Sequence, residues 1–367
     1  MDKKIAILIL NWNGWKDTLE CLESIFNVSY PSYKVIVMDN NSSDNSLKMI
    51  RKWAREMKLP YKEYEENEGE VFSFDKGIIL IKNKKNYGFA QGNNIGINYI
   101  LNYSDADYIF LLNNDTVIID TNIFQKMIKA IEEDTQTGSV QPKLLYYQNK
   151  KINSTGLICD IFGAVYHRGR FEKDYGQYDK YKDSLFAAAG AAILLRRSCL
   201  EILGDIFDEK FFAYYEDVDL AWRMRLMGFK VIYFPETICL YKEGKTSGGP
   251  SPYTNYLTCR NRLRSIIKNY SFRNLIWILP VAILLEFLLC LWLSFSRKNI
   301  KYFFLSLPVL FWNIINIKDT LKRREKIQSI RKCSDEKIMQ YMVRRALSIK
   351  NFFSLILPFS KTDVPPK

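Results

Sequence analysis

Apolar residues fall in short unbroken runs through the first third of the chain. Residues 5–10 (Ile-Ala-Ile-Leu-Ile-Leu) and 35–38 each run into a polar residue, Asn11 and Asp39. Runs of that length without alternation predict strands buried on both faces of a parallel sheet. Between them Leu19, Leu22, Ile25 and Phe26 recur at helical spacing, so the segment reads as a βαβ unit. Residues 39–44 (Asp-Asn-Asn-Ser-Ser-Asp) form a turn cluster, 47–57 a helix and 78–81 a third strand. The stretch Gly88-Phe89-Ala90-Gln91-Gly92-Asn93-Asn94 leads into a helix ending near Tyr103. A fourth strand over 108–112 stops at Asn113. In open α/β sheets ligands bind beyond the carboxyl ends of strands, and Asn11, Asp39, Asn86 and Asp115 all stand at such ends. From about 140 to 241 the alternation weakens. Ala187, Ala188, Ala189, Gly190, Ala191 and Ala192 make a small-residue segment, which suits either close approach to a ligand or simple packing.

The C-terminal third changes character. Residues 275–295 are about the length that spans a bilayer, interrupted by Pro280 and Glu286. A carboxylate at mid-bilayer is costly, so Glu286 needs either a partner or an interfacial position. Residues 302–317 form a shorter apolar segment. Residues 338–357 mix Arg344, Arg345 and Lys350 with Met, Leu, Ile and Phe, the composition of an in-plane amphipathic helix. The expected arrangement is a helical hairpin entering a membrane from its cytosolic side, with a buried helical subdomain as the alternative. The formal net charge is +13, and residues 297–367 hold 16 Lys and Arg against 5 Asp and Glu. Basic charge concentrated behind apolar segments points to anionic lipid at a cytoplasmic leaflet; without interleaved aromatics or groove-reading motifs, nucleic acid is not an expected partner. Seven cysteines without a Cys-x-x-Cys pair predict reduced thiols, and the N-terminal apolar run is too short for a secretory signal. One histidine, His167, all but excludes imidazole relays and multi-histidine metal sites, so acid–base chemistry falls to carboxylates.

Two acidic groups answer that need. Asp115 follows the strand 108–112 and would stand at the rim of the sheet, where a single carboxylate can anchor Mg²⁺ or Mn²⁺ whose other ligands are diphosphate oxygens; a plain turn is the competing reading. Glu216, Asp217 and Asp219 open an amphipathic helix. Asp217 suits an N-cap, and Asp219 with Arg223 suits an i, i+4 surface pair. Three acids within four residues also repel, which raises a pKa and suits a general base.

In order along the chain stand Ile9-Leu10-Asn11-Trp12-Asn13, Val37-Met38-Asp39-Asn40-Asn41-Ser42-Ser43-Asp44, Asn86-Tyr87-Gly88-Phe89-Ala90 with Asn93-Asn94, Leu111-Leu112-Asn113-Asn114-Asp115, and Phe207-Asp208-Glu209 followed by Glu216-Asp217-Val218-Asp219-Leu220 with Arg223. This series resembles family 2 glycosyltransferases, most of all their rhamnosyltransferase-like branch, over about residues 5–261, ending in Arg260-Asn261. The resemblance implies an α/β protein of the GT-A fold, a Rossmann-like nucleotide-sugar-binding mixed sheet flanked by helices, and inverting transfer from a nucleotide diphosphate sugar. It implies that Asn11, Asn13, Asp39, Asn86, Gly88, Asn94 and Asn114 line the donor pocket, with Asp39 reading the base. It matches Asp115 to the last acid of the metal-binding Asp-x-Asp motif and Asp217 to the catalytic base, with Glu216 as the alternative. Two departures stand out. The motif's first acid is Asn113, and where relatives carry a histidine before a Gly/Ser-rich loop this chain reads Tyr241-Lys242-Glu243-Gly244-Lys245. Lys242 or Lys245 would then supply fixed positive charge to the diphosphate, which leaves divalent-cation dependence open.

The resulting plan is a GT-A catalytic domain over 1–270, apolar membrane-associated helices over 271–318 and a basic amphipathic tail over 319–367, held at the cytoplasmic face of the cell membrane. The acceptor is expected to be a glycan, polyprenyl-linked, within cell-surface polysaccharide synthesis, and oligomeric state is not legible. A non-catalytic sugar-nucleotide-binding or membrane-scaffold protein is the alternative.

Overall fold

The computed structural model describes residues 2–243, 251–344 and 346. The first half alternates as its apolar runs predict: β1 (Ile5–Asn11), α1 (Trp15–Phe26), β2 (Tyr33–Asp39), α2 (Ser46–Glu56), β3 (Tyr61–Glu65), β4 (Ile78–Lys82), α3 (Gly88–Tyr103) and β5 (Tyr108–Asn113). Every residue of β2 is buried, as a strand covered on both faces requires. β3 carries the polar sequence Tyr-Lys-Glu-Tyr-Glu and lies at the sheet edge, where one side meets water.

The second half contributes β6 (Thr116–Ile118), α4 (Ile123–Glu132), β7 (Thr137–Tyr146), β8 (Ile152–Ser154), β9 (Leu157–Asp160), β10 (Val165–His167), β11 (Ala192–Arg196), α5 (Arg197–Leu203), α6 (Glu216–Leu226) and β12 (Lys230–Tyr241). The main sheet runs β3-β4-β2-β1-β5-β11-β7-β12-β6, with β8 on β7. β1 is parallel to both β2 and β5, whereas β11 is antiparallel to β5, so the sheet is mixed. The chain leaves β1 on one side through β2 and returns on the other as β5. The strand order therefore reverses at β1/β5, where an α/β sheet opens a crevice.

Helices α7 (Pro252–Asn269), α8 (Phe272–Ser296), α9 (Ser306–Ile315), α10 (Ile317–Ser329) and α11 (Asp335–Met339) follow, and β13 (Met342–Val343) pairs with β9. Ser251 caps α7 through a reciprocal bond with Thr254, ahead of Pro252. Among the described residues α8 alone is long and apolar enough to cross a membrane, with 28% of its most apolar stretch buried. Residues 300–315 and α10 form a second apolar pair, bent by 65°. Glu286 on α8 has its partner: the carboxylate meets the Arg262 guanidinium of α7 in a buried ion pair.

Two expectations are corrected. Asp219 and Arg223 are not a surface pair: Asp219 is fully buried, and Arg223 and Lys268 donate to it at 2.9 and 3.1 Å because α7 covers that face of α6. The segment expected as an amphipathic helix over 338–357 starts otherwise, since Met342–Val343 is a strand; Arg345 and residues 347–357 lie outside the described residues. Part of the basic region, where it is described, is used in packing. Arg323 pairs with Glu209 at 3.1 Å and Arg324 donates to the Tyr270 carbonyl at 2.6 Å, which leaves Lys318, Lys322, Lys332 and Lys337 exposed. All seven cysteines are buried free thiols.

Candidate active site

The crevice at β1/β5 is crossed by a chain of buried polar groups. The Asn11 amide donates to the Asp39 carboxylate at 2.8 Å and to the Ser42 hydroxyl at 3.1 Å, and the Ser42 N–H donates to the other Asp39 oxygen at 2.9 Å. The Thr18 hydroxyl donates to the Asn11 side-chain oxygen at 2.7 Å while accepting from the Asn114 amide at 3.1 Å. Asp39 at the end of β2 is thus linked to the turn after β5 through the ends of β1 and α1. Asn13, at φ 50°, points its side-chain oxygen at the N–H groups of Ser43 and Asp44 (2.8 and 3.2 Å) and shapes the turn after β2.

Next to it, the Asn40 amide donates to Asn86 at 2.9 Å and to the Gly88 carbonyl at 3.2 Å, and Asn40 accepts from Asn83 at 3.1 Å. Gly88 begins α3 at φ 76°, and a Cβ there would lie 2.5 Å from Phe212. Asn94 lies apart from this cluster. Its side chain clasps the backbone of Phe207, accepting from the N–H at 2.9 Å and donating to the carbonyl at 2.8 Å, so it ties α3 to the segment before α6.

Asn113-Asn114-Asp115-Thr116 is a tight turn between β5 and β6. Burial of the Asp115 carboxyl, 6% exposed, pushes its pKa up to about 7, with Asp17 and Glu243 raising it further against the opposing charge of Lys242. Lys242 is engaged elsewhere: its ammonium contacts Asp17 and Glu20 of α1, each at 2.5 Å, instead of standing free for a diphosphate. Lys245 lies outside the described residues. No group of three His, Cys, Asp or Glu side chains converges on a metal position among the described residues. A buried carboxyl short of positive charge nevertheless fits a divalent cation that takes its remaining ligands from a diphosphate.

Asp217 is brought to this turn by the small-residue segment. Its carboxylate accepts from the Gly190 N–H at 2.9 Å and from the Val218 N–H at 2.8 Å. The next residue, Ala191, offers its carbonyl to the Asn113 N–H at 2.9 Å and to the Thr116 hydroxyl at 3.3 Å. A Cβ at position 190 would lie 3.4 Å from the Asp217 carboxylate, an ordinary van der Waals contact. Asp217 is the second residue of α6 and not its cap; Tyr215 holds that position, at φ 76°. Burial raises the pKa of Asp217, against the pull of the Gly190 and Val218 amides. Burial and the neighbouring Asp217 charge raise that of Glu216 well above the carboxylate range, and one Glu216 oxygen has no hydrogen-bond partner.

Most of the residues singled out in the sequence gather along this crevice. Thr18, Asn40, Ser42 and Gly190 complete it, and so does Gln141, which accepts from the Ala189 N–H at 2.6 Å. Asn40 and Ser42 sit inside the turn cluster already marked at 39–44; Thr18 and Gln141 give no local signal, being buried in a helix and a strand.

A mixed sheet whose strand order reverses at β1/β5, with a helix whose buried carboxylate is bonded to the segment next to that point, is the GT-A type of glycosyltransferase fold. The chain matches the family described as Glycosyl transferase family 2 over residues 6–203, and Glycosyl transferase family group 2 over 108–316. It belongs to glycosyl transferase family 2. Poly-beta-1,6-N-acetyl-D-glucosamine synthase of Staphylococcus epidermidis is 22% identical over 256 residues, 67% of this chain and 51% of that protein. Low-salt glycan biosynthesis hexosyltransferase Agl10 of Haloferax volcanii is 23% identical over 225 residues, 60% and 61%. The chain thus spans about half to three fifths of the length of these relatives. In fold it is similar to mannosyltransferase PcManGT of Pyrobaculum calidifontis, solved with GDP-Man and Mn²⁺, at a TM-score of 0.52 and 13% identity over 96% of this chain and 88% of that one. GalNAc-T7, solved with UDP, GalNAc and Mn²⁺, gives a TM-score of 0.57 at 13% identity over 85% and 57%.

Proposed function

We propose that this chain is an inverting glycosyltransferase that moves a sugar from a nucleotide diphosphate to a hydroxyl of a glycan acceptor, with Asp217 as general base. The observation that carries this reading is the run from Asp217 through Gly190 and Ala191 to Asn113, which seats a buried, high-pKa carboxylate beside the turn that bears Asp115. Asp39, held by Asn11 and Ser42, faces the nucleoside. Asp115 would hold the divalent cation, which when bound offsets charge gathering on the departing diphosphate. Asp217 takes the proton from the acceptor hydroxyl as its oxygen attacks the anomeric carbon opposite the diphosphate, so configuration inverts. Burial and the Asp217 charge disfavour a charge on Glu216, the alternative acid next to it.

A deoxythymidine or uridine diphosphate sugar, rhamnose among the candidates, is the donor we favour from the motif pattern. The relatives named for poly-N-acetylglucosamine and low-salt glycan synthesis support a cell-surface polysaccharide or glycoconjugate product. The exposed apolar side chains of α8 and α9, including Ile276, Leu284, Leu307, Phe311 and Ile314, support attachment to a membrane carrying a polyprenyl-linked acceptor. The exposed lysines of the C-terminal region suit anionic lipid on its cytoplasmic face.

The test begins with a thermal-shift panel of UDP-glucose, UDP-N-acetylglucosamine, GDP-mannose and dTDP-rhamnose, followed by transfer with the stabilising donor. Asp217→Asn is expected to lower turnover by about 10²- to 10⁴-fold, the usual worth of a positioned base, while donor binding persists. Undiminished turnover in that variant rejects the assignment.

A further inference from the structure

The residues just ahead of Glu216 are backbone outliers. Phe212, Tyr214 and Tyr215 have φ of 65°, 68° and 76°, a region bulky side chains rarely enter. The Ala213 N–H donates to the Phe211 carbonyl at 2.8 Å across Phe212, whose ψ is −62°. That is the rare, strained form of γ-turn. Such strain persists where the surroundings over-determine it, and it concentrates at working sites.

Here the surroundings are two adjacent residues of α7. The fully buried Asn261 amide donates to the carbonyls of Phe211 (3.1 Å), Ala213 (3.0 Å) and Tyr214 (2.7 Å). Three carbonyls converging on one NH₂ group is a clamp, since an extended or helical segment would point them apart. The Arg260 guanidinium adds bonds to the carbonyls of Lys210 and Phe211 at 3.2 and 3.1 Å. From the far side, the Phe212 carbonyl accepts from the Ala90 N–H at 3.0 Å and the Tyr215 hydroxyl donates to the Gly163 carbonyl at 2.6 Å. Arg260 is itself gripped by the apolar layer. The Trp312 ring lies 4.3 Å from its guanidinium, and Asn313 donates to its carbonyl at 3.2 Å.

We infer that Arg260 and Asn261 are positioning residues: they hold the 211–215 turn in the shape that keeps Asp217 on the Gly190 amide, and Trp312 with Asn313 ties that clamp to the apolar helices. The structural part stands on contacts; its catalytic consequence rests on Asp217 being the base. The seating of α9 against α7 then sets the aim of a carboxylate to which α9 contributes no bond.

Hydrogen exchange of the full chain reads the clamp without any substrate. In Asn261→Ala the amide of Gly190 is expected to exchange at least tenfold faster while residues 35–44 keep their protection. Arg260→Lys, which retains the charge and loses the forked bonds, should show the same change more weakly, and it decides the matter if Asn261→Ala does not fold. Trp312→Ala should also speed Gly190 exchange; unchanged protection there cuts α9 out of the clamp. In a second arm, calorimetric affinity for UDP is expected to stay within about twofold, while turnover with the donor found in the panel falls by roughly tenfold to a hundredfold, the cost of misaiming a group by about an ångström. Unaltered Gly190 exchange in the folded variants overturns the inference, as does loosening spread equally over residues 35–44. Faster Gly190 exchange in a protein that transfers no sugar upholds the clamp and refutes the transferase reading instead.

Discussion

Asp115 and Asp217 are both buried carboxyls whose charged forms are disfavoured by burial, yet their neighbours differ. Two backbone N–H groups face Asp217, whereas Asp115 has carboxylates nearby and a lysine turned toward Asp17 and Glu20. Asp115 with a pKa of about 7 holds a proton that the unfolded chain releases near pH 4. Its burial therefore lowers stability as pH rises from about 4 to 7, and a bound cation reverses that loss. Calorimetry should show that Mn²⁺ tightens UDP binding above about pH 7, that the gain fades as the pH falls below it, and that Asp115→Ala binds UDP equally with and without chelator. An Mn²⁺-dependent gain surviving in Asp115→Ala places the cation elsewhere. These acids were legible because they end a strand or open a helix, where a side chain has few structural duties. Gly190 and Asn261 stood in stretches the sequence marked, the small-residue segment and the Arg260-Asn261 pair, but their partners were not legible, and Thr18 gave no signal at all: the bonds to Asp217, Phe211 and Asn114 span 27, 50 and 96 residues, and no local pattern marks such a pairing. For Lys242 the resemblance suggested a diphosphate contact where relatives carry a histidine, and its pairing with Asp17 and Glu20 of α1 had no local signal.

Among the elements, α3 enters the site through Gly88, the residue that lets the helix start against the turn before α6. Its φ of 76° and a Cβ position 2.5 Å from the Phe212 ring and carbonyl leave no room for a side chain. Gly88→Ala is expected to cost more than about 1 kcal/mol and to lower the thermal midpoint by a few degrees; an unchanged midpoint shows that the 212 turn yields freely. The buried parallel strands and their helices were readable because continuous apolar runs have few other uses. β3 was missed because an edge strand needs polar residues on its open side. α7 carries Arg260, Asn261, Arg262, Arg264, Lys268 and Asn269, residue types common on surfaces, yet every one of them is buried. Its burial is possible because carboxylates and carbonyls from other elements meet most of these polar groups, and that supply lies far away in the chain.

For the molecule as a whole, the segment before α6, α6 itself, α7 and α10 share a buried ionic cluster. Arg264 and Lys268 of α7 hold Asp208 at 2.7 and 2.6 Å, Lys268 also reaches Asp219, and Asp319 of α10 joins through Arg264. Burial opposes the charge on Asp208, but Lys268 and Arg264 outweigh it and hold its pKa well below the usual carboxylate range. A depressed pKa stabilises the fold above the unfolded value near pH 4 and stops doing so as pH falls, so acid should part these layers. Asp208→Asn strands two buried cations and is expected to cost about 3–5 kcal/mol, read by chemical denaturation at neutral pH; a loss under 1 kcal/mol shows that the cluster tolerates the missing charge. The Arg262–Glu286 pair has a different consequence. Because Glu286 must turn toward α7, α8 has one permitted rotation about its own axis, and its outward side is fixed as the side bearing Ile276, Leu284 and Phe287. Under the proposed membrane attachment, that flank would work as a keel. Whatever depth it took in a bilayer would also set the heading and height of the β1/β5 strand ends above the head groups, so that acceptor hydroxyls would be met at one level and from one direction.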